Sequence, residues 1–372
     1  MPDAVPLHPV AVPVADTPSD LPEAVAAELS TFFAGRREQT TRVDVRFADA
    51  ALALEEFVLR GGKRLRPSFA WWGWRGAGGD PDGLMAPQVL RACAALELIQ
   101  ACALVHDDLM DASATRRGHP TVHTAFAERH RVAGWSGAAE RFGLAAAVLL
   151  GDIALAWADD MLRAARLPAD ALAGALPYWE AMRTEMLGGQ YLDVLTEVCG
   201  DESPEAALRI DRFKTAAYTV ERPLQMGAGL AGAPGELLAA YESFGADVGV
   251  AFQLRDDLLG VFGDPAVTGK PAGDDLREGK RTLLVALALQ RADTNDPAAA
   301  EQLRRQLGQD LTEDAVQRLR MLLVEVGAVA EVERRIGELT ERGLAALDTE
   351  LIEPTARHEL RRMAVAATLR SS

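Results

Sequence analysis

Three aspartates, Asp107, Asp108 and Asp111, end a long apolar run in the stretch LVHDDLMDASATRRG. The run is typical of a helix, which would place Asp107 and Asp111 on one face, where they repel each other unless a cation lies between them. Carboxylate oxygens suit Mg²⁺, which shares its shell with phosphates, and the guanidinium groups of Arg116 and Arg117 match phosphate oxygens. The spacing therefore indicates a metal-assisted diphosphate site, although an acidic helix end followed by a basic turn would have the same pattern.

A second acidic pair, Asp256 and Asp257, closes another apolar run, AFQLRDDLLGVFGD. One such pair is as consistent with a solvated helix end as with a metal site. Two clusters, each at the foot of a helix whose other residues are apolar, favour metal binding.

Basic and amide side chains that could bind an anion lie elsewhere in the chain. The loop GGKRLRP, residues 61–67, combines glycines that free the backbone with three cations, although an ordinary basic loop has the same composition. Gln100 lies two turns before Asp107 on one helix face, so its amide either bonds within the core or points into a cavity. Lys214 and Thr215 interrupt the run RFKTAAYTV, a pattern that is also typical of a solvated helix face.

The composition limits the classes of protein. The 372 residues are 49% hydrophobic, enough for a sizeable core, and the net charge of −16 argues against general nucleic-acid binding. Three cysteines without metal-ligand spacing predict reduced thiols in a cytoplasmic protein. The longest apolar stretch, 142–158, is interrupted by Asp152 and is expected to be too short to span a bilayer. The N-terminus lacks the pattern of a signal peptide.

The pattern of residues predicts an all-α fold. Ala, Leu, Glu and Arg dominate, and runs of alternating β-branched residues are nearly absent. Residues 1–20 are rich in Pro and Ala and are predicted to be disordered, whereas residues 21–372 are predicted to form one domain. The helix expected at 87–112 is apolar on nearly every side and should be central. The other helices are expected at 22–35, 43–60, 64–76, 121–131, 138–166, 170–198, 204–231, 235–262, 281–291, 297–307 and 312–328, with two more after residue 328.

Two familiar patterns do not fit this helical organisation. The glycines of GAGLAG, residues 227–232, match a dinucleotide fingerprint, but that motif must follow a strand, and none is predicted before it. His106, His119 and His123 lack the paired spacing of a zinc site. Neither a nucleotide nor zinc is therefore expected.

Several motifs together are specific although each alone is weak. GGKRLRP, ELIQACALVHDDLMDASATRRG, GGQYLD, KTAAY, FQLRDDLLGVFGD and GK–RT occur in this order over about residues 40–290. They resemble the trans-type isoprenyl diphosphate synthases, or polyprenyl synthetases, and most of all the geranylgeranyl diphosphate synthases. The resemblance implies a single-domain bundle of antiparallel helices around a deep central cavity, of the isoprenoid synthase type, normally a homodimer. It also implies a reaction that joins isopentenyl diphosphate to an allylic diphosphate and releases pyrophosphate.

The resemblance also implies a role for each matching residue. Mg²⁺, with three ions in the active site, would be held by Asp107, Asp108, Asp111, Asp256 and Asp257. The allylic diphosphate would be bound by Arg116, Lys214, Lys270 and Lys280. Isopentenyl diphosphate would be bound by Lys63, Arg66, Gln100 and Arg117. Catalytic roles fall to Lys214 and Arg116, which would stabilise the departing pyrophosphate, and to Thr215 and Gln253, which would place oxygen dipoles near the developing carbocation.

The second acidic motif departs from the family pattern. That motif commonly reads DDxxD, whereas here Gly260 stands at the last position and gives DDLLG. Asp264 lies one turn further on, which is not the equivalent position. The departure leaves Asp256 in place and changes the metal shell that the resemblance implies.

The length of the product is expected to depend on small residues in the central helix. The growing tail should run from the aspartates towards the N-terminus of that helix, where one turn of about 5.4 Å is comparable to one isoprene unit. Family members that make farnesyl diphosphate commonly carry large aromatics at the positions that are here Ala103 and Cys102. Ile99 and Leu96 come next, with Trp157 as a candidate floor. This predicts geranylgeranyl diphosphate, with farnesyl or longer diphosphates as alternatives, unless Ala103 only permits close helix packing.

Two other functions are compatible with parts of the pattern. A class I terpene cyclase also uses DDxxD, but its second metal site usually needs an asparagine, and the single one here, Asn295, lies in an expected loop. A non-catalytic partner subunit of a synthase would be expected to have lost some acidic or basic motif residues. Both aspartate pairs and the cations are present, so the sequence favours an active synthase.

Overall fold

A computed structural model describes residues 20–263 and 273–368. Within these ranges the chain is almost entirely helical, which confirms the all-α fold class. The first helices, in chain order, are α1 (Leu21–Val43), α2 (Val45–Leu59), α3 (Leu65–Gly76), α4 (Ala86–Ala94), α5 (Leu96–Met110), α6 (Val122–Val132), α7 (Ala139–Ala164) and α8 (Ala169–Cys199). They are followed by α9 (Pro204–Ile210), the π-helix Asp211–Glu221, α10 (Arg222–Leu230), α11 (Gly235–Phe262), α12 (Asp274–Glu278), α13 (Leu283–Asn295), α14 (Pro297–Gln306), α15 (Glu313–Glu325), α16 (Ala328–Ala346) and α17 (Pro354–Thr368).

Polar side chains cap several helices and set where they begin. Asp44 accepts a hydrogen bond from the Arg46 backbone at the start of α2, and Ser203 does the same for the Ala206 backbone in α9. Thr282 and Thr312 cap α13 and α15 in this way. Each cap satisfies a backbone N–H that the first helical turn leaves without an intrahelical partner.

Buried apolar side chains form two clusters that share α11. The larger cluster takes residues from α1 to α8, from α10 and from the N-terminal half of α11. The smaller cluster joins the C-terminal half of α11 to α13, α14, α15 and α16. Six of the nine residues of α4 are buried, and so are eight of the fifteen residues of α5. The helix expected at 87–112 is therefore central to the bundle, although it is interrupted at Ala95.

Three local features differ from the helices that the sequence predicts. The expected helix 204–231 contains a π-helical segment of 11 residues between α9 and α10. After α5, Thr115–Arg116 pairs with His119–Pro120 in a short antiparallel ladder. Its two-residue turn has positive φ at both Arg117 (51°) and Gly118 (73°), as a type I′ turn requires. The third feature is the short helix α12, which the sequence does not predict. The disorder predicted for residues 1–20 falls almost wholly outside the described residues.

Two helices are long and apolar enough, by length and composition alone, to cross a membrane. The segment Ala86–Met110 is 72% buried inside the bundle, which is the position of a core helix. Helix α7 has 26 residues and is therefore longer than the apolar stretch 142–158. In its most apolar part, 39% of the residues are buried. The expectation that this segment is too short to span a bilayer therefore does not hold for the folded helix.

Candidate active site

One large cavity brings together side chains from α3, α5, the π-helix, α11 and the loops around them. Its volume is about 1210 Å³. It is lined by most of the residues that the sequence singled out: Lys63, Arg66, Gln100, Ala103, Asp107, Arg116, Arg117, Lys214, Thr215, Gln253, Asp256, Asp257 and Lys280. Lys270 lies outside the described residues. The two acidic motifs and the basic motifs, which are far apart in the sequence, therefore face one space.

Asp107 is the aspartate of the first motif that faces the cavity. Its two carboxylate oxygens accept hydrogen bonds from Lys214 Nζ at 2.9 Å and Arg116 Nη2 at 3.1 Å. Burial would raise the pKa of this carboxyl, but the charges of Lys214, Lys280 and Arg116 outweigh burial and lower the pKa to about 2. Asp107 is therefore a carboxylate at neutral pH.

The other two aspartates of the motif have different surroundings. Asp108 is 1% exposed and accepts a hydrogen bond from Arg116 Nε at 2.7 Å, so it orients that guanidinium towards the cavity. Asp111 ends the helix 3.6 Å from Lys280 Nζ. Burial and the nearby charge of Asp107 raise the pKa of Asp111 to about 6.

Lys214 is positioned by the π-helix and by a close approach to α8. A Cβ placed on Gly189 would lie 2.3 Å from the Lys214 backbone nitrogen, so only glycine permits this contact. The Lys214 amine also contacts Asp193 at 2.6 Å, and the two carboxylates outweigh burial to raise its pKa. The second glycine of GGQYLD thus sets the position of Lys214.

The π-helix turns several polar side chains towards the cavity. Asp211, Lys214, Thr215, Tyr218 and Thr219 recur at intervals of three and four residues, so they share one face of the helix and line the wall. Burial and the neighbouring charge of Asp193 raise the pKa of the Asp211 carboxyl to about 8. Sequence reasoning did not assign a role to Asp211 or Asp193. The sequence offers one signal for a role of Asp193, which lies three residues after Gln190 on the same helix face.

The second acidic motif is more deeply buried than the first. Asp257 is 4% exposed, and its Oδ1 accepts a hydrogen bond from Gln253 Nε2 at 2.6 Å. Among the described residues, its Oδ2 has no hydrogen-bond partner. Burial raises the pKa of Asp257 well above its usual range, and the negative charges of Asp211 and Asp275 raise it further. Asp256 lines the cavity beside it.

A basic subsite lies on another part of the wall. The Arg66 guanidinium lies 4.1 Å from the centre of the Tyr218 ring and donates to Thr219 Oγ1 at 2.6 Å. Tyr218 Oη donates to Gln100 Oε1 at 2.8 Å. Both residues line the cavity, so the Gln100 amide is not enclosed in the apolar core. Arg117 Nη1 donates to the Gly61 carbonyl at 3.1 Å. These contacts hold the side chains in place around a space that suits an anion.

The cations of this subsite repel one another. Burial lowers the pKa of Arg117, and the nearby charges of Arg116, Arg64 and Arg66 lower it further. Arg64 is buried and pairs with Glu97, and it also donates to the Val58 carbonyl at 2.8 Å. All three cations of GGKRLRP line the cavity, but the Arg64 guanidinium is already held by Glu97 and the Val58 carbonyl and so supports the fold. A bound anion would relieve the mutual repulsion.

Only one of the residues expected to set product length faces the cavity. Ala103 lines the wall together with Ala101, Leu104 and Phe57 of α2. In the described part of the chain, Cys102 and Ile99 are fully buried in the core and do not line the cavity. The Cys102 sulfur lies 3.7 Å from His106 Nδ1, on the side of α5 that packs against α7. Trp157 packs against Phe32 and Phe33, so it is not a floor of this cavity.

The donor set suits Mg²⁺ that is shared with a substrate. Across residues 20–263 and 273–368, no three Asp, Glu, His or Cys side chains lie close enough together to hold an ion by themselves. The cavity carries carboxylate oxygens at both acidic motifs, and Asp257 has a buried oxygen without a hydrogen-bond partner. Mg²⁺ is usually bound by one or two carboxylates and completes its shell with phosphate oxygens and waters. The residues therefore fit this metal.

The chain is an all-α bundle, and one cavity holds two carboxylate clusters and several cations. This is the architecture of an isoprenoid synthase. The model of the polyprenyl synthetase family matches residues 50–322. The fold is similar to the crystal structure of a geranylgeranyl pyrophosphate synthase from Corynebacterium glutamicum complexed with isoprenyl diphosphate and magnesium. That similarity has a TM-score of 0.92 and 48% identity, and it covers 95% of this chain and 100% of that one.

Curated relatives agree with this match. The chain is 33% identical over 307 residues to a geranylfarnesyl diphosphate synthase from Aeropyrum pernix, covering 80% of this chain and 85% of that protein. It is 34% identical over 294 residues to a geranylgeranyl diphosphate synthase from Mycobacterium tuberculosis, covering 79% and 77%. The chain belongs to the polyprenyl synthetase family and is a prenyltransferase.

Proposed function

We propose that this prenyltransferase condenses isopentenyl diphosphate with an allylic diphosphate and releases geranylgeranyl diphosphate. One observation carries the proposal: a single cavity holds both carboxylate motifs, the cations around Asp107 and a separate group around Lys63 and Arg66. Two groups of cations match two diphosphates. A terpene cyclase binds one diphosphate and would not need the second group, and a non-catalytic subunit would not need both carboxylate motifs.

The residues act by stabilising charge and by positioning the two substrates. Arg116, Lys214 and Lys280 stabilise the pyrophosphate as the allylic C–O bond breaks, because preorganised cations are most effective where charge develops. The carboxylates of the two acidic motifs would hold Mg²⁺, three ions in this proposal, which would further stabilise the same leaving group. The carbon–carbon bond then forms to isopentenyl diphosphate, and the proton lost from it passes to the released pyrophosphate.

The second group of residues holds the nucleophile away from the breaking bond. Lys63, Arg66 and Arg117 offer positive charge to the diphosphate of isopentenyl diphosphate, and Gln100 offers an amide whose oxygen is already bonded to Tyr218. Thr215 and Gln253 line the same cavity as both groups. The apolar wall below the aspartates excludes the water that would otherwise trap the carbocation.

Product length is proposed from the wall beside Asp107. Ala103 lies four residues before Asp107, about one turn or 5.4 Å along α5. Its small side chain leaves room for one isoprene unit more than an aromatic residue would. The relatives named above include synthases of geranylgeranyl and of geranylfarnesyl diphosphate, so a longer product is the principal alternative.

The direct test uses the purified chain with isopentenyl diphosphate, Mg²⁺ and dimethylallyl, geranyl or farnesyl diphosphate in separate reactions. Products are identified by mass after dephosphorylation. The proposal expects geranylgeraniol as the main alcohol from each primer. A main product of farnesol would contradict the chain length alone, whereas no elongation of any primer would contradict the proposed reaction.

We further propose that the chain forms a homodimer through one face of α7 and α8. Apolar side chains lie exposed along these two helices, with Leu149 61% and Tyr191 67% exposed. The others are Leu144, Val148, Leu187, Val194, Leu195 and Val198. Many exposed apolar side chains on two successive helices are typical of an interface between subunits. It also accounts for the low burial of α7.

Light scattering after gel filtration tests the dimer. The wild-type chain is expected to have the mass of two copies, and the double variant Leu149→Glu, Tyr191→Glu the mass of one. A monomeric wild type at micromolar concentration would contradict the proposal.

The three cysteines are free thiols, which supports a reducing compartment, and we propose that the enzyme acts in the cytoplasm.

A further inference from the structure

The two acidic motifs of this chain differ at one position. DDLMD ends in Asp111, whereas DDLLG ends in Gly260. Gly260 lies one turn after Asp256 in α11, so a side chain at position 260 would lie on the same helix face as Asp256. The motif therefore lacks a carboxylate at the place where the first motif has one.

Another carboxylate occupies the space that a side chain at position 260 would need. A Cβ placed on Gly260 would lie 1.9 Å from Asp275 Oδ2, 2.5 Å from its Cγ and 3.0 Å from its Oδ1. No side chain larger than hydrogen fits there unless Asp275 moves. The Asp275 carboxylate is thus held against α11 at the same height as the missing side chain, and it lines the cavity with Asp256 and Asp257.

Helix α12 fixes Asp275 in this position. The helix is bounded by Gly273 (φ 76°) and Gly279 (φ 78°), both in the left-handed region that glycine adopts at little cost. Leu276 is fully buried, and its carbonyl accepts a hydrogen bond from the Gly308 backbone at 2.9 Å. Because the next residue is anchored in the core, the Asp275 side chain has little freedom to leave the cavity wall.

The Asp275 carboxylate shares the Lys280 amine with two other acids, Asp111 and Glu278. Lys280 Nζ lies 3.7 Å from Asp275 Oδ1 and closer, at 2.9 Å, to Glu278 Oε2. Asp257, 4% exposed, keeps one carboxylate oxygen without a hydrogen-bond partner among the described residues. Buried carboxylates that face each other are stable only when they are paired or bind a metal.

We propose that Asp275 supplies, from α12, the carboxylate that the second acidic motif lacks at Gly260, so that Asp256 and Asp275 together hold a divalent cation. The inference rests on the proposed function, since the cation completes its shell with oxygens of a diphosphate. Gly260 is then a required part of the site, because it leaves the space in which Asp275 lies.

The first test measures metal binding without turnover. Mn²⁺ binding in the presence of inorganic pyrophosphate is followed by electron paramagnetic resonance for the wild type, Asp275→Asn, Gly260→Ala and Asp274→Asn. Asp274 is the neighbouring acid on α12 and does not line the cavity, so it is the matched control. Asp275→Asn and Gly260→Ala are expected to weaken Mn²⁺ binding by about tenfold or more, with Asp274→Asn unchanged.

The second test moves the carboxylate back onto α11. In the double variant Gly260→Asp, Asp275→Ala the obstruction is removed and position 260 carries the carboxylate. This variant is expected to recover Mn²⁺ binding and to lower the Mg²⁺ concentration needed for half-maximal turnover, relative to Asp275→Ala alone. Circular dichroism of each variant shows that the helical fold is retained.

The outcomes separate the possible roles of Asp275. Wild-type Mn²⁺ binding in Asp275→Asn would overturn the proposal. Loss of turnover in Asp275→Asn with normal Mn²⁺ binding, and no recovery in the double variant, would also overturn it, because Asp275 would then act only on Lys280. A wild type that binds Mn²⁺ and pyrophosphate but elongates no primer would overturn the proposed function and leave the role of Asp275 to be decided by the binding data.

Discussion

The three carboxylates of DDLMD have different neighbours and differ in how far they face the cavity. Asp107 faces the cavity between Lys214 and Arg116, Asp108 is buried against Arg116, and Asp111 lies beside Lys280 at the helix end. The sequence identified the group but could not separate its members. Their separation depends on cations that reach them from residue 116, residue 214 and residue 280, and no local pattern contains that information.

The carboxylates that face the cavity should be essential for turnover. Asp107→Asn and Asp256→Asn each remove negative charge from the proposed site of the divalent metal and the leaving pyrophosphate. We expect kcat to fall by about a thousandfold while the helical circular dichroism spectrum is unchanged. Near-normal turnover in either variant at ordinary Mg²⁺ would show that the acidic motif concerned does not take part.

The two groups of cations should give different kinetic effects. Lys63→Ala is expected to raise KM for isopentenyl diphosphate by about tenfold or more with a smaller change in kcat, because the proposal has Lys63 bind a diphosphate remote from the breaking bond. Arg116→Ala is expected to lower kcat instead, because Arg116 contacts the carboxylates around the leaving group. An unchanged KM for isopentenyl diphosphate in Lys63→Ala would place that substrate elsewhere.

Among the elements, the π-helix is what the sequence could not predict. The composition of 204–231 indicates a helix, and one forms, but its hydrogen-bonding pattern is decided by packing between α8 and α11. Gly189 of α8 and Gly249 of α11 both approach its backbone, with a Cβ at position 249 placed 2.6 Å from Ala216 Cα. Glycines at these close approaches allow the wider helix and turn Lys214 and Thr215 into the cavity.

Two adjacent glycines of α8 provide a matched test of this element. A Cβ at Gly189 would lie 2.3 Å from the Lys214 backbone nitrogen, whereas a Cβ at Gly188 would meet nothing within 4 Å. Gly189→Ala is therefore expected to lower kcat by about a hundredfold through displacement of Lys214. Gly188→Ala should keep its activity and unfold at the same or a slightly higher temperature. Equal activity in the two variants would show that the close approach is not required.

On the scale of the whole molecule, the sequence predicted the helical bundle and the convergence of its motifs. It predicted less well which residues form the walls of the cavity. Apolar periodicity and helix propensity indicated an all-α fold, and the structure has it. The orientation of α5 could not be predicted, because it depends on packing against α7. That packing buries Cys102 and Ile99 in the core, leaves Ala103 on the cavity wall, and brings in Phe57 from the distant helix α2.

Product length should therefore respond to Ala103 and not to Cys102. Ala103→Phe places a ring in the cavity and is expected to shift the main product from geranylgeranyl to farnesyl diphosphate with activity retained. Cys102→Phe is the control: it overpacks the core and is expected to cost about 1–3 kcal/mol of stability without shortening the product. A shorter product from Cys102→Phe alone would mean that the tail follows the other side of α5.

The central claim is that one cavity ionises an allylic diphosphate and joins it to isopentenyl diphosphate bound beside it. The most direct measurement is the release of pyrophosphate by the purified chain with geranyl diphosphate and Mg²⁺, in the presence and absence of isopentenyl diphosphate. We expect one pyrophosphate to be released for each isopentenyl diphosphate consumed, and almost none without it. Equal release in the absence of isopentenyl diphosphate, which is the behaviour of a cyclase, would show that the cavity does not join the two substrates.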